Sequence, residues 1–184
     1  MAAKSLEFDN EGDDRPIKLF FQDEARFGRI DNISSCWVPP GGRASVGNQV
    51  IREYTYAYLA ACPETGENYS LILPYANKNC MDIFMRGVSE IFSNYKIIMA
   101  MDRAAWHNTE KLENIVPFFQ PAYSPEVNPV ENLWHHIRED GGFKNKTFKT
   151  LDEVELKLAE KLKNLDEKTV KSITLYNWIK KAIC

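Results

Sequence analysis

The 184 residues, 44% hydrophobic and 12% aromatic, are enough for one well-buried core and short for two. The net charge of −3 comes from the first fourteen residues, where five acids oppose Lys4 alone; the rest is close to neutral, so overall charge leaves no footprint of a nucleic-acid binder. No apolar run approaches a membrane span, the polar opening segment is no signal peptide, and four scattered cysteines with His107, His135 and His136 give neither a zinc-finger spacing nor a disulfide framework.

Residues 1–15 lack apolar periodicity and are expected to be a disordered acidic leader, followed by one folded domain over 16–184. IKLFFQ at 17–22 predicts a buried strand ending in Asp23-Glu24. A buried carboxylate there is costly without a partner, and Arg26 or Arg29 is available for a salt bridge. Residues 32–38 with PPGG at 39–42 predict a strand leading into a tight turn, a hairpin with Arg43 just beyond. Strands at 54–61 and 69–73, separated by a turn at Thr65-Gly66, complete an expected antiparallel meander. Asn79, with Asp82 three residues on, predicts a helix start; Ile83, Phe84, Val88, Ile91 and Phe92 then recur at helical spacing.

YKIIMAM at 95–101 is a second apolar strand, and it too stops at an acid, Asp102. Following a helix, it is most simply parallel to its sheet neighbour, which sets Asp23 and Asp102 side by side at strand ends where ligands gather. After a short strand at 116–119 comes PAYSPEVNPVENLW at 121–134. Asn128 suits an N-cap, Pro129 the first helical position, and Glu131 falls at the third. Val130, Leu133, Trp134 and Ile137 share an apolar face, with Glu131, His135 and Arg138 on its flank. Taken alone, Glu131 reads as the acid of a capping box closing on Asn128. Residues 150–184 predict two packing helices, one capped by Thr150 and Glu153, the last capped by Asp166 and carrying Val170, Ile173, Trp178 and Ile179.

Two strand-end aspartates and a helix-borne glutamate in one cleft repel one another unless a cation sits among them. Oxygen ligands suit Mg²⁺ or Mn²⁺, and two such ions roughly 4 Å apart serve phosphodiester chemistry. On spacing alone, structural ion pairs also account for strand-end acids.

FFQDEARFG at 20–28, WVPPGG at 37–42, MDRAAWHN at 101–108 and the 121–134 block together resemble the successive blocks of the DDE catalytic domain in IS630/Tc1/mariner superfamily transposases, over residues 17–150. The resemblance implies an α/β, RNase H-like fold: a mixed central sheet, three antiparallel strands plus parallel ones, flanked by helices. It implies Asp23, Asp102 and Glu131 as a catalytic, metal-binding triad holding Mg²⁺ or Mn²⁺, two ions, and a reaction of DNA strand cleavage and strand transfer. Transposon-end and target DNA are then the partners, with a homodimer in the bacterial cytosol or nucleoid.

Two departures bear on activity. Arg103 stands where the family usually has Asn, and the 28 residues between Asp102 and Glu131 are fewer than its usual spacing, with the trimming near 111–115. Impaired catalysis is the expectation. The family's N-terminal helix-turn-helix has no counterpart here, which implies a catalytic half completed by an upstream reading frame, or a remnant. A decayed or co-opted domain that holds DNA or protein without cutting, and an RNase H-like nuclease acting on another nucleic acid, are the competing readings. Arg26, Arg103, Lys144, Lys146 and Lys149 are the candidate DNA contacts, against the ordinary reading of a solvated lysine loop beside Phe143 and Phe148. His135 is not counted as a ligand, and His107 either neighbours the site or caps a helix.

Overall fold

In the computed structural model, residues 13–30, 37–43, 45, 49–122, 124–139 and 142–183 are described. Five strands, β1 Ile17–Ile30, β2 Val50–Ala61, β3 Asn68–Leu73, β4 Lys96–Met101 and β5 Ile115–Phe119, form one sheet in the order β3-β2-β1-β4-β5. β1, β2 and β3 pair antiparallel, while β1 with β4 and β4 with β5 are parallel. The parallel half requires a crossover, which α1 Lys78–Ile91 supplies between β3 and β4. On the other face lie α2 Val130–Glu139, α3 Leu151–Lys163, α4 Glu167–Thr174 and α5 Asn177–Ile183.

Both faces of the central strands are covered, which is why Leu19, Phe20 and Phe21 are apolar in succession. Phe20, Tyr58, Ala60, Met99 and Met101 pack beneath α1; Phe21, Ala25, Phe27, Leu59 and Ala100 pack beneath α2 and α3. This mixed sheet between helical layers is the fold class expected from the sequence.

Several local expectations are corrected. β1 does not stop at Gln22 but continues to Ile30, because Ala25 and Phe27 alternate with exposed Arg26 and bury beneath α2. Asp23 therefore lies within β1, paired with Leu59 of β2 and two residues past the last pair with β4. The cap of α1 is Asn77 rather than Asn79: Asn77 Oδ1 accepts the Cys80 N–H at 2.9 Å, while Asp82 pairs with Lys78 at 2.7 Å. The single last helix is two: α4 ends at Thr174, whose hydroxyl donates to the Val170 carbonyl, and α5 begins at Asn177. PPGG forms its tight turn, with Gly42 N–H on the Pro39 carbonyl at 2.9 Å and Gly41 at φ 83°, but residues 32–36 of the expected hairpin strand lie outside the described residues.

Residues 1–12 of the expected leader also lie outside them. Asp13 and Arg15 are tied to the fold, Arg15 donating to Ser93 O at 3.0 Å and Lys96 to Asp13 O. No helix among the described residues is long and apolar enough to cross a membrane.

Candidate active site

Phe21 pairs with Ala100 as the last pair of the parallel ladder, so Asp23 and Asp102 each lie two residues past it, at the same end of the sheet. The third acid is delivered by Asn128. Its Nδ2 donates to Gln22 O at 3.0 Å, fixing the turn against β1, and its Oδ1 accepts the Val130 N–H at 3.2 Å to start α2. The Asn128 N–H is itself taken by Pro125 O at 2.9 Å. The capping box is thus not formed, and Glu131 stands exposed. Asp23, Asp102 and Glu131 line one cleft of about 430 Å³, together with Arg103, Gln120 and Asn128.

Burial and the charge of Glu131 push the Asp23 carboxyl up to about 8, against the hydrogen bond donated by Trp134. Neither expected salt-bridge partner relieves it. Arg26 stacks over the Tyr54 ring at 4.4 Å, and Arg29 pairs with Glu53 at 2.7 Å and donates to Phe148 O at 3.0 Å. Among the described residues no cation forms an ion pair with Asp23.

Asp102 Oδ1 accepts the Ala104 N–H at 2.9 Å and lies 2.7 Å from His107 Nδ1. His107 Nε2 lies 3.0 Å from Glu24 Oε1, which also accepts Trp106 Nε1–H at 2.9 Å. Burial opposes a charge on His107, but the hydrogen bond and charge of Glu24, joined by Asp102, outweigh it and raise its pKa. Glu24 was not singled out by the sequence; its signal is the acid doublet Asp23-Glu24, whose two side chains must leave opposite faces of β1.

A family model described as "DDE superfamily endonuclease" matches residues 18–155. The chain belongs to the DDE superfamily of endonucleases. An uncharacterized protein, y4pE/y4sA of Sinorhizobium fredii (strain NBRC 101917 / NGR234), is 34% identical over 105 residues, covering 55% of this chain and 77% of its own. The Mos1 transposase paired-end complex with left transposon end has the same fold, with a TM-score of 0.66 at 17% identity over 90% of this chain and 54% of that one. The Mos1 mariner paired end complex with Mn gives 0.64 at 15% identity, with 90% and 54% covered. The chain thus spans about half the length of the solved transposase chains it matches. The RNase H-like DDE fold implied by the sequence resemblance is the one observed.

Three carboxylates sharing a cleft with no cation paired to Asp23 are the donor chemistry for a hard divalent ion, and residues of this DDE chain fit Mg²⁺ or Mn²⁺ in that sense. Among the described residues no three His, Cys, Asp or Glu side chains are gathered tightly enough to hold an ion as they stand. Ion binding therefore needs cleft side chains to turn inward. His135 is exposed on α2.

The five candidate DNA contacts divide. Arg103 lines the acid cleft and donates from Nε to Gln120 O at 3.2 Å. Arg26 and Lys146 line a second pocket, about 110 Å³, with Tyr54, Phe143 and Phe148. Lys144 pairs with Glu139 at 2.7 Å, and Lys149 is exposed just before α3.

Proposed function

We propose that the chain is the catalytic part of a transposase that cuts DNA and transfers the freed strand, with Asp23, Asp102 and Glu131 as its metal-holding triad. The observation that carries this reading is the shared cleft of those three carboxylates, reached from β1, the end of β4 and the first turn of α2. When bound, divalent ions, two by the resemblance, activate the attacking oxygen and stabilise the leaving oxygen of a phosphodiester. The chain's own residues do the rest. Asn128 holds the α2 turn to β1 and so sets where Glu131 stands, and Arg103 offers a cation at the cleft wall for a DNA phosphate.

A solved relative is held in complex with its left transposon end, which supports transposon-end and target DNA as partners. Coverage of about half their length leaves room for a DNA-recognition portion, such as a helix-turn-helix, on a separate or longer polypeptide; assembly as a homodimer in the bacterial cytosol or nucleoid completes the proposal. The test is Mn²⁺-dependent nicking of duplex DNA by the wild type, compared with Asp23→Asn, Asp102→Asn and Glu131→Gln. Loss of nicking in all three is expected; nicking that survives in any of them removes that residue from the triad.

A second reading, a domain that holds DNA without cutting it, is favoured by one observation: no ready-made ion cage exists among the described residues. Calorimetry with Mn²⁺ separates the two, since the non-catalytic domain binds no ion that depends on Asp102.

A further inference from the structure

Glu24 and His107 keep only 9% and 1% of their side chains exposed, and the mechanism above gives neither a task. Glu24 follows Asp23 and so leaves the opposite face of β1. There Gln22 Nε2–H and Trp106 Nε1–H donate to its carboxylate at 3.0 and 2.9 Å, and His107 Nε2 lies 3.0 Å away. A carboxylate held from three directions is immobile. The short turn Ala105–His107 brings the imidazole back under the strand end, its Nδ1 2.7 Å from Asp102 Oδ1 and 3.0 Å from the Asp102 carbonyl.

The Asp102 side chain is otherwise 60% exposed. An exposed aspartate has water for a partner, so tying it down adds little to stability. What the tie changes is the number of directions in which the carboxylate can point.

We propose that Glu24 and His107 are positioning residues for Asp102, a carboxylate–imidazole–carboxylate clasp from β1 to the end of β4 that engages Oδ1 and leaves Oδ2 to ligate a divalent ion. This inference rests on the proposed function. Imidazoles and carboxylates behind metal ligands typically contribute about 10–100-fold in ion affinity. Here the roles are reversed from the usual order, with the imidazole behind a carboxylate ligand.

The test is Mn²⁺ binding by calorimetry, with electron paramagnetic resonance of the bound Mn²⁺ as a second readout. The proteins are the wild type, Asp102→Asn, His107→Asn, His107→Gln and Glu24→Gln. An asparagine amide reaches where Nδ1 lies and keeps the contact to Asp102, whereas a glutamine amide reaches where Nε2 lies and keeps only the contact to Glu24. We expect His107→Asn, which keeps the Asp102 contact but loses the Glu24 anchor, to bind Mn²⁺ several-fold more weakly than the wild type, and His107→Gln, which frees Asp102, to bind about 10–100-fold more weakly, with similar metal-free melting temperatures.

Equal losses in the two His107 variants, or losses that track melting temperature, overturn the clasp. Where neither folds, Glu24→Gln decides: an amide cannot accept from all three donors, so weaker Mn²⁺ binding is expected, and unchanged affinity overturns the proposal. Wild type that binds no Mn²⁺ overturns the proposed function and the clasp with it. Binding lost in Asp102→Asn but kept in His107→Gln overturns the clasp alone.

Discussion

Trp134 Nε1 donates to Asp23 Oδ2 at 2.8 Å, so the helix that carries Glu131 also grips the acid that Glu131 repels. The two contacts oppose each other. Removing the donor in Trp134→Phe keeps most of the buried ring, which packs edge-on against Phe27 at 6.1 Å, and strips Asp23 of its partner. We expect a loss of about 1 kcal/mol in urea unfolding and a further rise in the Asp23 pKa. A Trp134→Phe protein as stable as the wild type, with an unshifted Asp23 titration by NMR, would mean that the bond does not form in solution.

The metal-free protein should lose stability as pH rises from about 4 to about 8. Asp23 has its folded pKa raised from 3.8 to about 8, so the folded state binds the extra proton throughout that window. Its contribution is fully present below the unfolded value and is lost as pH passes the folded one. His107, also raised, acts in the same sense. Asp23→Asn removes the larger part of this slope and should make the protein more stable than the wild type at pH 8 by on the order of 2 kcal/mol, less than the full shift because exposed Glu131 can swing away. Chemical unfolding at pH 5 and pH 8 checks it; a large destabilisation by Asp23→Asn at pH 8 would instead make Asp23 a structural anion.

The parallel pairing of β1 with β4 was legible because the second of two apolar runs followed a helix, which makes a parallel neighbour the simplest arrangement. The place of Glu131 in the first turn of α2 was legible through turn chemistry at Asn128 and Pro129. The length of β1 was not, because Asp23 and Glu24 interrupt the apolar run and hide the alternation of Ala25 and Phe27 beyond them. The Glu24 to His107 contact spans 83 positions, and no local pattern announces a partner that distant. The break between α4 and α5 carries neither glycine nor proline. Thr174, the last α4 residue, donates its hydroxyl to the Val170 carbonyl, a contact no local pattern announces.

Divalent metal should raise the melting temperature, because the repulsion between Asp23 and Glu131 is relieved only in the folded, ion-bound state. Mn²⁺ at a hundredfold excess over Kd adds about 2.7 kcal/mol, roughly 5–10 °C for a chain of this size. Asp102→Asn should abolish most of the shift. Thermal unfolding with and without millimolar Mn²⁺ measures it, and an unchanged melting temperature counts against the triad as a metal site.

DNA binding should be weak, insensitive to sequence and steeply salt-dependent. Residues 15–184 are nearly neutral overall, so contacts must come from local cations rather than from net charge. Those in place are Arg103 at the cleft wall and the pair Arg26 and Lys146 at the second pocket, three residues and about 10 Å further along β1 from Asp23. Phosphate contacts of this kind release counterions and position the duplex, whereas base-edge contacts discriminate sequences. Fluorescence anisotropy of unrelated duplexes at two salt concentrations, with Ca²⁺ in place of Mg²⁺ to suppress cleavage, measures both properties. Arg26→Ala and Lys146→Ala should each flatten the salt slope by about 0.9, and Lys144→Ala by less, because Glu139 already neutralises it at 2.7 Å. Tight, salt-insensitive binding to one sequence would sink this prediction, since it would require a base-reading surface on this chain.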